Sequence, residues 1–232
     1  MNVLVACEES QAVCKAFRER GHRAFSCDLQ ECSGGHPEWH IQGDCLPLLN
    51  GNCTFQTSDT HTHTQCGKWD LIIAHPPCTR LCVTGNKWYK PEYADRFPNI
   101  HKEREEAIEF FMKFVSADCE RIVIENPVGI MSTRWKKPSQ IIQPYYFGEP
   151  FEKKTCLWIK GLQNLVPTNI VEPPTRMKLK SGKTMPDWYA RPKMSKERQI
   201  MRSKTFPGIA EAMAEQWGKE PIYIPEQTNL FN

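Results

Sequence analysis

Short apolar runs alternate with stretches at helical spacing, and each run stops at a polar or turn-forming residue. Val3-Leu4-Val5-Ala6 predicts a buried strand. Ser10 to Arg20 follows, with Val13, Ala16 and Phe17 on one helical face and Gly21 supplying the C-terminal turn. Arg23-Ala24-Phe25-Ser26-Cys27 predicts a second strand, closed by Asp28; Gly34-Gly35 marks a turn, and Trp39-His40-Ile41 leads to Gly43-Asp44. Residues 50–68 are polar and Thr/His-rich and read as a surface insertion. Trp69 to Ala74 is a strongly apolar strand terminated by His75-Pro76-Pro77-Cys78. Glu103 to Phe114 has the pattern of an amphipathic helix. Arg121 to Ile124 is a strand ending at Glu125-Asn126-Pro127, Cys156 to Ile159 is another, and a last helix runs from Gly208 to Trp217. Strand, helix and strand in alternation, each strand ending in a polar residue, predict an α/β fold: a mostly parallel twisted sheet with helices on both faces.

With 232 residues the chain is long enough for one α/β domain with a sizeable core and a small appendage. No apolar run approaches the roughly 20 residues that span a bilayer, and Met1 to Val5 lacks a basic region and runs into Glu8-Glu9. A membrane protein and a secreted one are therefore not expected; a cytoplasmic monomer is. The 11 cysteines are scattered through strand-like segments and odd in number, which points to reduced thiols packed as small apolar groups.

A net charge of +3 conceals an uneven distribution. From Lys160 to Lys204 there are eleven Lys or Arg against Glu172, Asp187 and Glu197, interleaved with Trp188 and Tyr189. Such a stretch suits a polyanion with stackable bases. Lys178, Lys180, Lys183 and Trp188 are the candidate contacts.

Ligands of open α/β sheets bind beyond the carboxyl ends of the strands. Four predicted strand ends carry special residues: Glu8-Glu9, Asp28, Pro76-Pro77-Cys78 and Glu125-Asn126. Asp28 is placed to accept hydrogen bonds from ribose hydroxyls. Pro76-Pro77 stiffens the backbone and presents Cys78 on a rigid loop, as a nucleophile requires. A thiolate added to C6 of cytosine makes C5 nucleophilic, and a carboxylic acid at N3 and the exocyclic amine stabilises the charge that develops. Cys78 and Glu125 on neighbouring strands form a minimal kit for that chemistry.

In these residues the chain resembles the DNA cytosine-5 methyltransferase family. Ala74-His75-Pro76-Pro77-Cys78 is similar to its Pro-Pro-Cys motif, and Ile124-Glu125-Asn126-Pro127 to its Glu-Asn-Val motif. Phe147 to Thr155 resembles a degraded Gly-x-Pro-Gln-x-Arg-x-Arg motif, and Thr205 to Met213 the C-terminal motif that closes the cofactor pocket. The resemblance implies a Rossmann-like class I methyltransferase fold and S-adenosylmethionine, or a modified derivative of it, as cofactor. It implies DNA as partner, double- or single-stranded, with Cys78 as nucleophile and Glu125 at N3. Lys153 replaces the first Arg of the degraded motif, beside the flipped base. Ala6, Cys7, Glu8, Glu9, Ser10, Asp28, Asp44 and Pro76 are then expected at the cofactor, and Pro77 and Asn126 at the base.

The chain departs from the family in three places. Ala6 to Gln11 contains no glycine where the family's first motif is glycine-rich, which brings Glu8 or Glu9 to the methionine ammonium. Phe151, Lys153 and Thr155 replace the Gln and both Arg of the later motif. The target-recognition region, Leu162 to Met194, is short, as in small phage-type members. The expected organisation is a catalytic domain over 1–160, a basic recognition segment over 161–195, and a C-terminal helix and tail over 196–232 returning to the catalytic domain. Cys32, His36, His40 and Cys45 have a spacing that permits zinc; adenine contact explains Gly43-Asp44 better, and no metal is expected. Amino-group methylation at N4 or N6, methylation of RNA cytosine, and an inactive DNA-binding homologue are the competing functions. The first uses a Pro-Pro loop followed by an aromatic residue, where this chain has Cys78; the intact Cys78 and Glu125 oppose the last.

Overall fold

The computed structural model describes residues 1–179, 182–187 and 204–219. Its strands are β1 (Asn2–Ala6), β2 (Arg23–Asp28), β3 (His40–Gln42), β4 (Cys53–Gln56), β5 (Thr62–Gln65), β6 (Leu71–Ala74), β7 (Ile122–Pro127), β8 (Gln140–Ile142), β9 (Thr155–Lys160), β10 (Arg176–Lys178) and β11 (Thr184–Pro186). Its helices are α1 (Ala12–Glu19), α2 (Ile100–Val115), α3 (Met131–Arg134) and α4 (Pro207–Trp217).

Seven strands form one sheet in the order β3-β2-β1-β6-β7-β9-β8. The first five are mutually parallel, β9 runs antiparallel to β7, and β8 pairs antiparallel with β9. The order reverses between β1 and β6, which opens the crevice of a doubly wound sheet at their carboxyl ends. This is the α/β fold that the alternation predicts, a Rossmann-like, mostly parallel sheet with an antiparallel strand between β7 and β8.

Alternation within the strands sorts the core into two layers. Val3, Val5, Leu71, Ile73 and Val123 face α1 and α4, where they meet Val13, Phe17, Ala210, Met213 and Trp217. Leu4, Ala6, Ile72, Ile122 and Ile124 face the other way, onto Phe111 and Phe114 of α2. Both sides of the sheet are buried, so its central strands read as nearly continuous apolar runs.

The structure differs from the sequence expectation in three places. Residues 50–68 contain the β4–β5 hairpin, which is anchored rather than merely appended. Phe55 is buried, edge-on to Phe25 with centroids 5.0 Å apart, and Arg23 donates to Gln65 Oε1 and the Thr64 carbonyl. Strand β8 has only three residues and no periodicity to betray it. The direction of β9 is a tertiary property that its own apolar run does not encode.

Phe111 is fully buried between Trp135 and Trp158, with centroids 5.8 and 5.2 Å away. Phe111→Ala is expected to lower unfolding free energy by about 3–5 kcal/mol. Leu29→Ala, at a position 76% exposed, should change it by less than about 0.5 kcal/mol. Urea unfolding followed by tryptophan fluorescence measures both; similar midpoints for the two variants would contradict the packing described.

Candidate active site

The carboxyl ends of β1, β2 and β3 form one group. Immediately after β1, Cys7 adopts φ +60°, and Gln11 adopts φ +58° before α1. These are left-handed conformations that glycine tolerates best, so this loop follows a glycine-type path without glycine. Gln11 is fully buried and holds the next loop with both amide atoms: Nε2 donates to the His36 carbonyl at 2.8 Å, and Oε1 accepts from His36 N at 3.0 Å. Cys7 Sγ lies 3.9 Å from Cys45 Sγ, and that contact together with burial pushes the Cys7 thiol far up.

Glu8 is buried. Its Oε1 accepts from Val13 N at 2.7 Å and its Oε2 from Cys14 N at 3.2 Å, so it caps the start of α1. Burial raises its pKa against the lowering effect of His75 and these two amides. Glu9 is half-buried, and its carbonyl accepts from Ser33 N. Asp28 is half-buried at the end of β2; its Oδ1 accepts from Gln30 N at 2.9 Å. Gly43 N donates to the Asp28 carbonyl, which brings exposed Asp44 to the same edge, where its Oδ1 accepts from Leu46 N. Ala6 is buried at the end of β1.

A second group gathers at the ends of β6 and β7. Parallel register places Ala74 beside Ile124, so the next residues, His75 and Glu125, are cross-strand neighbours. His75 Nδ1 donates to Glu125 Oε2 at 2.7 Å, and both side chains are largely buried. Burial by itself would lower the His75 pKa; the Glu125 hydrogen bond and the charges of Glu125 and Glu8 raise it above the ordinary histidine value. Burial by itself would raise Glu125; the His75 hydrogen bond and the Lys153 and His75 charges hold it below the ordinary carboxylate range. His75 Nε2 is buried without a hydrogen-bond partner among the described residues. Sequence reasoning assigned His75 no role, although alternation and the expected parallel pairing were available to place it beside Glu125.

Cys78 lies on the exposed loop beyond Pro77. Cys82 N and Leu81 N both donate to its carbonyl, and Leu81 is fully buried as the anchor of this turn. Ile130 N donates to the Leu81 carbonyl and Val83 N to the Val128 carbonyl, strapping the loop to the chain after β7. Gly129 makes that approach feasible: a Cβ there would lie 2.3 Å from the Leu81 carbonyl oxygen. Asn126 is buried, its Nδ2 donating to the Pro76 carbonyl at 2.7 Å while no described residue partners its Oδ1. Burial raises the Cys78 thiol, the charges of Cys82 and Glu125 add to the effect, and Lys153 opposes it.

Because β9 is antiparallel, it begins where β7 ends: Thr155 pairs with Pro127. Lys153, just ahead of it, therefore reaches the Glu125 edge and donates to the Lys204 carbonyl at 3.3 Å. The segments around Lys153 and Thr205 meet here. Glu149 Oε1 accepts from Gly208 N at the start of α4, and the Phe151 and Phe206 rings lie 5.2 Å apart. Glu125, Lys153, Thr155, Thr205, Phe206 and Ile209 line one small cavity. Thr205 and Phe206 also bound a cavity of about 520 Å³ with Ser10, Ser33, Gly34 and Phe151 on its walls. Asp28, Asp44 and Cys78 lie outside both linings.

Lys178 and Lys183 are exposed, on β10 and in the turn leading to β11; Lys180 and Trp188 lie outside the described residues. His40 uses both ring nitrogens inside the protein, Nδ1 with Ser26 Oγ and Nε2 with the Gln30 carbonyl. No helix among the described residues is long and apolar enough to cross a membrane.

No family model matches the chain, and no curated protein matches it. Among solved structures, it is similar to a protein from an E. coli prophage described as a candidate DNA modification methyltransferase, at 15% identity and a TM-score of 0.43. The match covers 75% of this chain and 53% of that one, so this chain spans about half the length of that protein. Likeness at that level adds nothing to what the strand order establishes.

The His75–Glu125 pair has a pH signature. Glu125, with its pKa depressed from about 4.5, contributes stability above that value that is lost as pH falls through the folded pKa. His75, with its pKa raised from about 6.5, contributes stability below that value that is lost as pH rises through the folded pKa. The deficit of Glu125→Gln relative to wild type is expected to peak between about pH 4.5 and 6.5, at about 3–5 kcal/mol, and to shrink on either side. Urea unfolding across pH tests this; a pH-independent deficit would rule out an ionised pair.

Proposed function

We propose that the chain transfers a methyl group, or a related one-carbon group from a modified donor, from S-adenosylmethionine to cytosine C5 in DNA. What supports this reading is that Cys78 and Glu125 follow the carboxyl ends of the paired parallel strands β6 and β7, with Lys153 just ahead of antiparallel β9, and that the charges of Glu125 and Lys153 act in opposite senses on the Cys78 thiol. A sheet crevice with a thiol, a carboxylate and a cation supplies what carbon methylation of a pyrimidine demands.

The residues of the β1–β3 edge fit the cofactor. Asp28 has one oxygen held by Gln30 N, and no described residue donates to the other, which leaves it for ribose hydroxyls. Asp44 offers an exposed carboxylate to the adenine amine, and Ser10 lies at the wall of the larger cavity. Glu8 is left out of this set, since each of its oxygens already accepts a backbone amide of α1. When bound, S-adenosylmethionine supplies the electrophilic methyl group.

The remaining work falls to side chains of the chain. The Cys78 thiolate adds to C6, and the electron pair of the C5–C6 double bond becomes available at C5. Glu125 holds N3 and the exocyclic amine, and Lys153 biases Cys78 toward thiolate. After C5 is alkylated a solvent water takes its proton, the electron pair left behind re-forms the C5–C6 double bond, and the Cys78 thiolate is expelled from C6. Pro76, fixed by Asn126, and exposed Pro77 keep the nucleophile loop in place. The target base must leave the stack or come from a single strand. Lys178 and Lys183 on the exposed hairpin are assigned to phosphate.

A 5-fluorocytosine cannot lose fluorine as a cation, so with cofactor it should leave a denaturant-resistant protein–DNA adduct. Cys78→Ser is expected to abolish the adduct and Cys82→Ser to retain it; nucleoside mass spectrometry on unsubstituted DNA identifies the product. Full activity in Cys78→Ser would reject the covalent mechanism in favour of amino-group transfer. In calorimetric titration with S-adenosylmethionine, Asp28→Ala should lose roughly tenfold or more in affinity, of the order expected for hydrogen bonds to a charged group. Equal affinities would remove Asp28 from the site.

A further inference from the structure

A carboxyl group that stabilises the charge developing at N3 does so best by giving N3 a proton, yet Glu125 in the free protein is engaged as an acceptor by His75, a buried partner with no other role in the reaction. We propose that His75, hydrogen-bonded to Glu125 across β6 and β7, is a positioning residue that fixes this carboxylate and stores the proton that N3 of the target base takes up. The proposal rests on the methyltransferase reading.

The geometry carries it. His75 Nδ1 and Glu125 Oε2 are 2.7 Å apart, both groups are shielded from solvent, and no described residue partners His75 Nε2. A structural histidine in a core normally spends both nitrogens, as His40 does with Ser26 and Gln30. His75 spends one, on the residue that must handle a proton. The charged groups acting on it are Glu125 on β7, Glu8 in the loop after β1 and Lys153 ahead of β9. Two carboxylates and one ammonium around the imidazole balance a second positive charge in a low-dielectric site.

The proton count closes. Imidazolium with carboxylate becomes neutral imidazole with carboxylic acid when one proton moves from His75 to Glu125, with no change in net charge. Delivery to N3 forms the N3–H bond, breaks the carboxyl O–H bond and restores the carboxylate. The base thereby gains a positive charge as the Cys78 thiolate brings it a negative one. When the Cys78–C6 bond breaks, N3 returns its proton to the pair. The first transfer also removes the Glu125 charge that opposes ionisation of Cys78, so the acid and the nucleophile become competent together.

Two measurements on the full chain test this. In ¹⁵N-histidine NMR spectra of the free protein, His75 should titrate above about 6.5, and Glu125→Gln should lower its titration midpoint. In the trapping assay with 5-fluorocytosine DNA, the wild-type rate should rise as Cys78 ionises and fall as pH passes the His75 midpoint. His75→Asn keeps an N–H donor near the Nδ1 position but stores no proton. It should trap about 100-fold more slowly near neutral pH, with its descending limb moved to lower pH. A thermal melt of the variant in the assay buffer separates this from misfolding; if it fails to fold, the wild-type pH profile must show the descending limb at the NMR midpoint. His75→Asn with the wild-type rate and profile would overturn the proposal, as would a His75 that titrates at or below 6.5 and ignores Glu125→Gln. If NMR shows the coupling while the wild type neither traps nor methylates DNA, the methyltransferase reading itself fails, and the N3 role with it.

Discussion

Parallel strands covered on both faces carry polar side chains within their length only where these are hydrogen-bonded, as Ser26 and His40 are to each other. That constraint organises the molecule. β1, β6 and β7 are filled with Val, Leu, Ile and Ala over their central residues, and each turns polar at its carboxyl end. Since the three are parallel and in register, their polar ends share one edge. The chemistry is thus concentrated by the same rule that builds the core, and the reversal of strand order between β1 and β6 opens the sheet there.

Burial at that edge sets the electrostatics. Glu8, His75 and Glu125 are surrounded by protein, where isolated charges would be costly. Glu8 is compensated by two backbone amides of α1, and His75 and Glu125 by each other. Lys153 adds a positive charge, spread between the Lys204 carbonyl and the Phe206 ring 5.8 Å away. Removing one member would leave its partner desolvated and unpaired.

The sheet itself was legible because each central strand announced itself by apolar content and ended at a residue unlike its core. Asp28, Cys78 and Glu125 could be singled out for the same reason. What sequence left open depended on contacts between distant segments. Nothing in Glu8-Glu9 tells which carboxylate turns back onto Val13 and Cys14. The hydrogen bond from Asn126 to Pro76 spans 50 positions and leaves no local trace in the sequence. His75 was hidden in plain sight beside Pro76, and only the register Ala74 to Ile124 couples it to Glu125. The hairpin over 53–65 read as polar filler because Phe55 is a single buried residue among exposed threonines and glutamines.

The antiparallel course of β9 has the largest consequence of these long-range features. Had β9 been parallel to β7, its first residues would lie at the amino ends of the strands, and Lys153 would sit a strand length away from Glu125. Running the other way, β9 delivers Lys153 and Thr155 to the end of β7 and carries Glu149 and Phe151 against the start of α4. Helix α4 in turn packs on the sheet face shared by Val123, Leu71 and Ile73. The cavity wall at Thr205 and Phe206 is therefore fixed from two sides, by the core beneath α4 and by the segment that precedes β9. A substitution that loosens either support would move Lys153 relative to Glu125 and Cys78 without touching any of the three, so the electrostatic balance at the thiol is a property of strand direction as much as of the charged residues themselves.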